Sequence, residues 1–158
     1  GGTHYATLNN TDQYLANSIF WNNTDTTESV FTLGSYTAVN GSTESYIAYL
    51  FSTLAGISKV DSYTGNGTSQ TIDCGFSTGA KFIIIKRTDS TGDWFMWDTT
   101  RGIVAGDDPH LSLNTAVAEV TTDDSIDPDN SGFIVNETTT NINVSGGEYI
   151  YYSIANPI

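Results

Sequence analysis

The sequence predicts an all-β chain, an antiparallel β-sandwich of jelly-roll-like type with a partial repeat at its N-terminus, and three observations carry that expectation. Thr, Ser, Asn, Gly and Tyr dominate the composition, while Lys, Gln and Met, which favour helices, are scarce. Short β-branched and aromatic runs recur along the chain, separated by clusters of turn-forming residues. Nine Tyr, seven Phe and three Trp in 158 residues supply enough bulk to close a core, which argues against disorder.

Taken in order, strands are expected at 29–34 (SVFTLG), 46–51 (YIAYLF), 69–74 (SQTIDC), 81–87 (KFIIIKR), 93–98 (DWFMWD), 132–136 (GFIVN) and 148–154 (EYIYYSI). Turns are expected at Gly65-Asn66-Gly67, Ser90-Thr91-Gly92-Asp93, Asp127-Pro128-Asp129-Asn130 and Gly146-Gly147. The run Phe82-Ile83-Ile84-Ile85 is apolar on successive positions, so both faces of that strand should be covered, as in the centre of a two-sheet core. In the next strand Trp94, Met96 and Asp98 share one face while Phe95 and Trp97 share the other, and a hairpin through Asp89-Ser90-Thr91-Gly92 joins the two. The core is accordingly expected around Phe82, Ile84, Trp94, Phe133, Val135, Tyr149 and Tyr151.

The chain also matches itself. Leu8-Asn9, SVFTLG, Val39-Asn40 and YIAYLF recur in the same order as Leu113-Asn114, SGFIVN, Ile142-Asn143 and YIYYSI, at an offset of about 103 residues. The stretch from about 62 to 106 has no counterpart. Residues 1–56 therefore read as the C-terminal half of one repeat, joined through GISKV to a complete unit over 57–158. A half-domain exposes strand edges, so its missing strands must come from the second unit, from a neighbouring chain or from an upstream portion.

Charge narrows the partners. Eighteen acidic against five basic side chains give a formal net charge of −13, which repels phosphate backbones and anionic headgroups. Neither nucleic acid nor insertion into a membrane is expected, since no apolar stretch approaches the roughly 20 residues of a membrane helix. The opening GGTHYATL has neither the charge nor the apolar run of a secretory leader. Cys74 is alone, so the fold must hold without an internal disulfide.

Catalysis is not expected. His4 and His110 are the two imidazoles, neither beside a Ser or Cys in a nucleophile context, and no GxSxG or HExxH spacing occurs. Carboxylate pairs suited to glycoside hydrolysis arise by chance among eighteen acids. Asp127, Asp129 and Ser131, followed by Gly132, open like a calcium loop, with Asp107 and Asp108 as a weaker second candidate. The twelfth position, which should close such a loop with a bidentate Glu, is Thr138, and the same residues make a good turn without an ion. Trp94 and Trp97 are candidate sugar-stacking rings, although neighbours in a strand that are an odd number apart point to opposite faces.

Residues 63–103, with their Tyr63-Thr64-Gly65-Asn66-Gly67 start, the KFIIIKRT strand and the DWFMWDTTRG hairpin, continue through DPHLSLNT, SGFIVNE and GEYIYYSIANP. This series resembles a β-rich structural domain, tail-associated or fibre-type, of marine tailed bacteriophages including cyanophages. The resemblance covers about two thirds of the chain, and the N-terminal third looks like the closing part of a preceding copy. It implies a non-enzymatic virion protein, folded in the host cytoplasm and displayed on the particle surface or in an extracellular filament. Its expected partners are copies of itself and other virion proteins. The alternatives are a glycan-binding, adhesive receptor-recognition module and, further off, a polysaccharide depolymerase.

Overall fold

The computed structural model describes residues 2–137 and 141–157. The chain forms two compact units, the described residues of 1–7 with 14–50 and those of 8–13 with 51–158. In the first lie β1 (His4–Tyr5), β2 (Leu15–Ala16) and two single-turn helices, α1 (Ser18–Trp21) and α2 (Thr37–Asn40). The second unit holds β3 (Ser58–Thr64), β4 (Gln70–Asp73), β5 (Ala80–Arg87), β6 (Trp94–Asp98), β7 (His110–Ser112), β8 (Ile126–Asp129), β9 (Gly132–Val135) and β10 (Glu148–Ala155).

The second unit is an antiparallel sandwich. One sheet has five strands in the order β3-β10-β5-β6-β7, and the other has three in the order β4-β9-β8. The apolar run of β5 occupies the middle of the larger sheet, as its covered faces predict. Inward positions follow from the pairing. Tyr151 lies opposite Ile85 and Ser153 opposite Ile83, while Ile85 and Ile83 lie opposite Phe95 and Trp97. Tyr151, Ile85, Ile83, Phe95 and Trp97 meet Ile72, Ile126, Phe133 and Val135 of the smaller sheet in one buried cluster.

The inward face of two strands differs from the sequence expectation. Phe133, Val135, Tyr149 and Tyr151 are core residues as expected, but Phe82, Ile84 and Trp94 are only half-buried, on the outer face. Ile83, Ile85, Phe95 and Trp97 take the interior instead. A run of successive apolar residues has no phase of its own, and a shift of one residue exchanges faces. Here the register fixes a common phase, with Tyr151 opposite Ile85 and Ile85 opposite Phe95 on the inward face.

The outer face is covered in part by the unit's own segments. Phe51 packs on Tyr152, with ring centres 4.8 Å apart, and Leu54 bridges Ser58, so the boundary falls after Leu50 and not after residue 56. Lys86, on the same face of β5, is fully buried and donates to the carbonyls of Gly92 at 2.9 Å and Thr11 at 3.4 Å. Gly92 N–H also donates to Thr11 O at 2.9 Å, which ties residues 8–13 to this unit.

The smaller sheet contains one strand that the sequence concealed. Asp127-Pro128-Asp129 reads as a turn, yet it pairs with Ile134, Phe133 and Gly132 as β8, leaving only Asn130 and Ser131 in the loop. Pro128 is tolerated because β8 is an edge strand, where a missing N–H breaks no ladder on the open side. Gly132 is required by close packing. A Cβ there would lie 2.1 Å from Ile72 O and 2.9 Å from Cys74 Sγ. We expect Gly132→Ala to part β4 from β9 at a cost of roughly 1–3 kcal/mol. A clear fall in the denaturant midpoint checks this, and an unchanged midpoint contradicts it.

Candidate functional site

The first unit carries the most exposed apolar side chains among the described residues. Its own centre is Phe20, buried between Tyr5 at 3.8 Å and Tyr36 at 4.5 Å between ring centres. Asn17 caps α1 by accepting the Ile19 N–H at 3.0 Å, and Asn22 closes it in the left-handed region at φ 53. Trp21 Nε1 donates to His4 O at 3.0 Å, joining α1 to β1. Gly34 N–H donates to Phe20 O at 2.6 Å. Around α2, the Tyr46 hydroxyl donates to Thr37 O at 2.5 Å and accepts the Gly41 N–H at 2.8 Å, while Asn40 Nδ2 donates to Gly34 O at 2.8 Å.

Beyond these ties, the two runs expected as strands, 29–34 and 46–51, pair with no strand among the described residues. A strand forms only where a second strand takes up its N–H and C=O groups, and the sequence of a single run cannot supply one. The consequence is a large apolar exposure. Ile47 is 82% exposed, Tyr49 79% and Leu50 74%. Each such side chain would contribute about 1.5–3 kcal/mol if buried, so leaving three in water forgoes several kcal/mol. Beside the run opens a cavity of about 790 Å³ whose wall includes Trp21, Phe31, Leu33, Val39, Tyr46 and Ala48. This contiguous apolar surface is the candidate interaction site of the chain.

The other candidate residues lie in the second unit, apart from one another in role. Trp97 is in the core, 1% exposed, against the rings of Phe95 and His110, whereas Trp94 is half-buried on the opposite face of β6. Asp127 and Asp129 lie on β8 and Ser131 in the loop after it. Asp129 Oδ1 accepts the Ser131 N–H at 2.8 Å and its hydroxyl at 2.6 Å, and these bonds hold the carboxyl below its ordinary range. Thr138, the twelfth position of the calcium pattern, lies outside the described residues. Among the described residues no group of three or more His, Cys, Asp or Glu could hold a metal ion. Asp129 also borders a cleft of about 380 Å³ whose polar wall is bonded within itself, Asn156 Nδ2 donating to Thr78 O at 2.9 Å and the Thr78 hydroxyl to Asn156 O at 2.7 Å.

Asp108, the weaker calcium candidate, is fully buried. It accepts the Ser125 N–H at 2.9 Å and the Ile126 N–H at 3.1 Å. Burial pushes its carboxyl up to about 7 despite those donors. Nearby in this interior, the Trp97 side chain acts on the Asp108 carboxyl as a hydrogen-bond donor, while His110 Nδ1 and Ser125 Oγ are buried without a hydrogen-bond partner among the described residues. Cys74 is also buried, and its thiol is pushed up to about 11, so it is unsuited to act as a nucleophile.

The fold and surface together define a class: an antiparallel β-sandwich module joined to a smaller unit that presents an exposed apolar run. The chain belongs to the family described as Domain of unknown function (DUF7483), which matches it over residues 1–157. Comparison with curated proteins and with solved structures finds no match. Among the described residues no helix is long and apolar enough to cross a membrane.

Proposed function

We propose that this chain is a non-enzymatic structural subunit of a bacteriophage particle, in a fibre, a tail-associated assembly or a capsid decoration, and that it assembles through β-strand contacts made by its first unit. The observation that carries the assembly reading is the run Tyr46–Leu50, strand-like in sequence, paired with no strand among the described residues and exposed in its side chains. Such edges are the template on which another chain adds a strand. The particle assignment rests on the ordered motif series over residues 63–157. The strongly acidic surface fits a protein kept soluble until its apolar run meets its partner.

Light scattering at micromolar protein tests the reading. Association of the parent chain is expected, and Ile47→Asp with Leu50→Asp should weaken it at least tenfold, the equivalent of about 1.4 kcal/mol. A compact monomer at high concentration, with residues 46–50 resistant to protease, would overturn it.

A further inference from the structure

The cavity of the first unit and the core of the second are lined by matching residues. Within the internal repeat, Phe31 and Leu33 stand where Phe133 and Val135 stand, Val39 where Ile142 stands, and Tyr46 and Ala48 where Tyr149 and Tyr151 stand. All five residues of the second set are buried in the sandwich core. All five of the first set line the open cavity. The side chains that meet Phe133, Tyr149 and Tyr151 from the other half of the core, Ile72, Ile83, Ile85, Phe95 and Trp97, come from β4, β5 and β6. Their segment, 62–106, is the stretch with no counterpart in the N-terminal third.

From this correspondence we infer that the first unit is the rear half of a second sandwich, and that its partner is a front-half block of this same family, equivalent to β3 through β6. The inference rests on the assembly reading above and names what occupies the surface. In the completed unit Tyr46–Leu50 runs antiparallel between a β3-type and a β5-type strand, as β10 does. Tyr149 lies opposite Tyr63 on one side and Arg87 on the other, and Tyr151 opposite Asp61 and Ile85. Tyr46, Ala48 and Leu50 then face inward, and the block delivers apolar side chains of the kind carried by Ile72, Ile83, Ile85, Phe95 and Trp97 into the cavity. Two strands added to one run satisfy both of its edges, which a single strand from another copy cannot do.

The test is to place a second copy of residues 57–106 ahead of the full chain. Hydrogen exchange across 46–50, binding of a hydrophobic dye and mass in solution are then compared with the parent. The fused chain is expected to slow exchange at 46–50 by at least a hundredfold, to lose most dye binding and to be monomeric. A control in which the added block carries Asp at its counterparts of Ile83 and Ile85 should restore fast exchange. Equal exchange in fused and parent chains, with the core tryptophan fluorescence of the second unit intact, overturns the inference. So does a parent in which 46–50 is already protected through self-association and stays oligomeric when the block is added, an outcome that leaves the assembly reading standing. A monomeric, unprotected parent with a protected fusion supports the inference while removing self-association. As a second variant, Phe31→Ala should lower the melting temperature of the fused chain by several degrees and leave the parent unchanged. An equal fall in both contradicts the missing half-core.

Discussion

Phe133→Ala should unfold the second unit under conditions where Phe31→Ala, at the matching position of the first, changes little. Phe133 is fully buried, lies opposite Ile72 on β4 and Pro128 on β8, and meets the Tyr151 ring edge-on at 5.6 Å between centres. Truncating a phenylalanine so enclosed costs about 3–5 kcal/mol, transfer and cavity together. That is a large share of the roughly 5–15 kcal/mol that holds an ordinary domain. In a unit of about 100 residues each kcal/mol shifts the midpoint by about 4–8 °C, so a fall of about 12 °C or more is expected. Phe31 has no such enclosure, because it lines an open cavity. Its truncation should cost under about 1 kcal/mol. Calorimetry of both variants checks the pair of values, and equal costs would mean that the first unit is already closed.

Raising the pH from 5 to 9 should weaken the second unit through Asp108. Its folded carboxyl titrates at about 7, against 3.8 for an ordinary one, because burial disfavours the charge. A pKa raised by folding means that the native state holds the proton more tightly than the unfolded chain. The associated stability is present at low pH and is lost as pH rises through the folded value. At about 1.4 kcal/mol per pKa unit, the loss between pH 5 and 9 is roughly 2–3 kcal/mol. Asp108→Asn keeps an acceptor for the Ser125 and Ile126 N–H groups and removes the titration. The variant should therefore show a flatter stability profile and overtake the parent above pH 7. Denaturant midpoints across this range decide it, and parallel profiles for the two proteins would contradict the account.

Much of the sandwich was legible in advance because its strands announce themselves. Those at 70–73, 80–87, 94–98, 132–135 and 148–155 coincide with the aromatic and β-branched runs. Three strands were not legible. β3 (SKVDSYT) and β8 (IDPD) are rich in polar and turn-forming residues, and β7 has three residues. Such strands exist because a neighbour holds them, β10 for β3, β9 for β8 and β6 for β7. The apolar surface of the first unit was half legible. The repeat pointed to unpaired edges, but nothing local to Phe31, Leu33 or Val39 distinguishes a cavity wall from a core.

The all-β class, the strand chemistry of the second unit and the internal repeat were determined by the sequence alone, since composition, alternation and self-likeness are properties of the chain itself. Which face of β5 and β6 turns inward, and whether 29–34 and 46–51 become strands, were decided only by the tertiary structure. The reason is common to both. A β-strand is defined by the neighbour that takes up its hydrogen bonds and sets its phase; that neighbour lies far away in sequence, and Tyr46–Leu50 has none among the described residues.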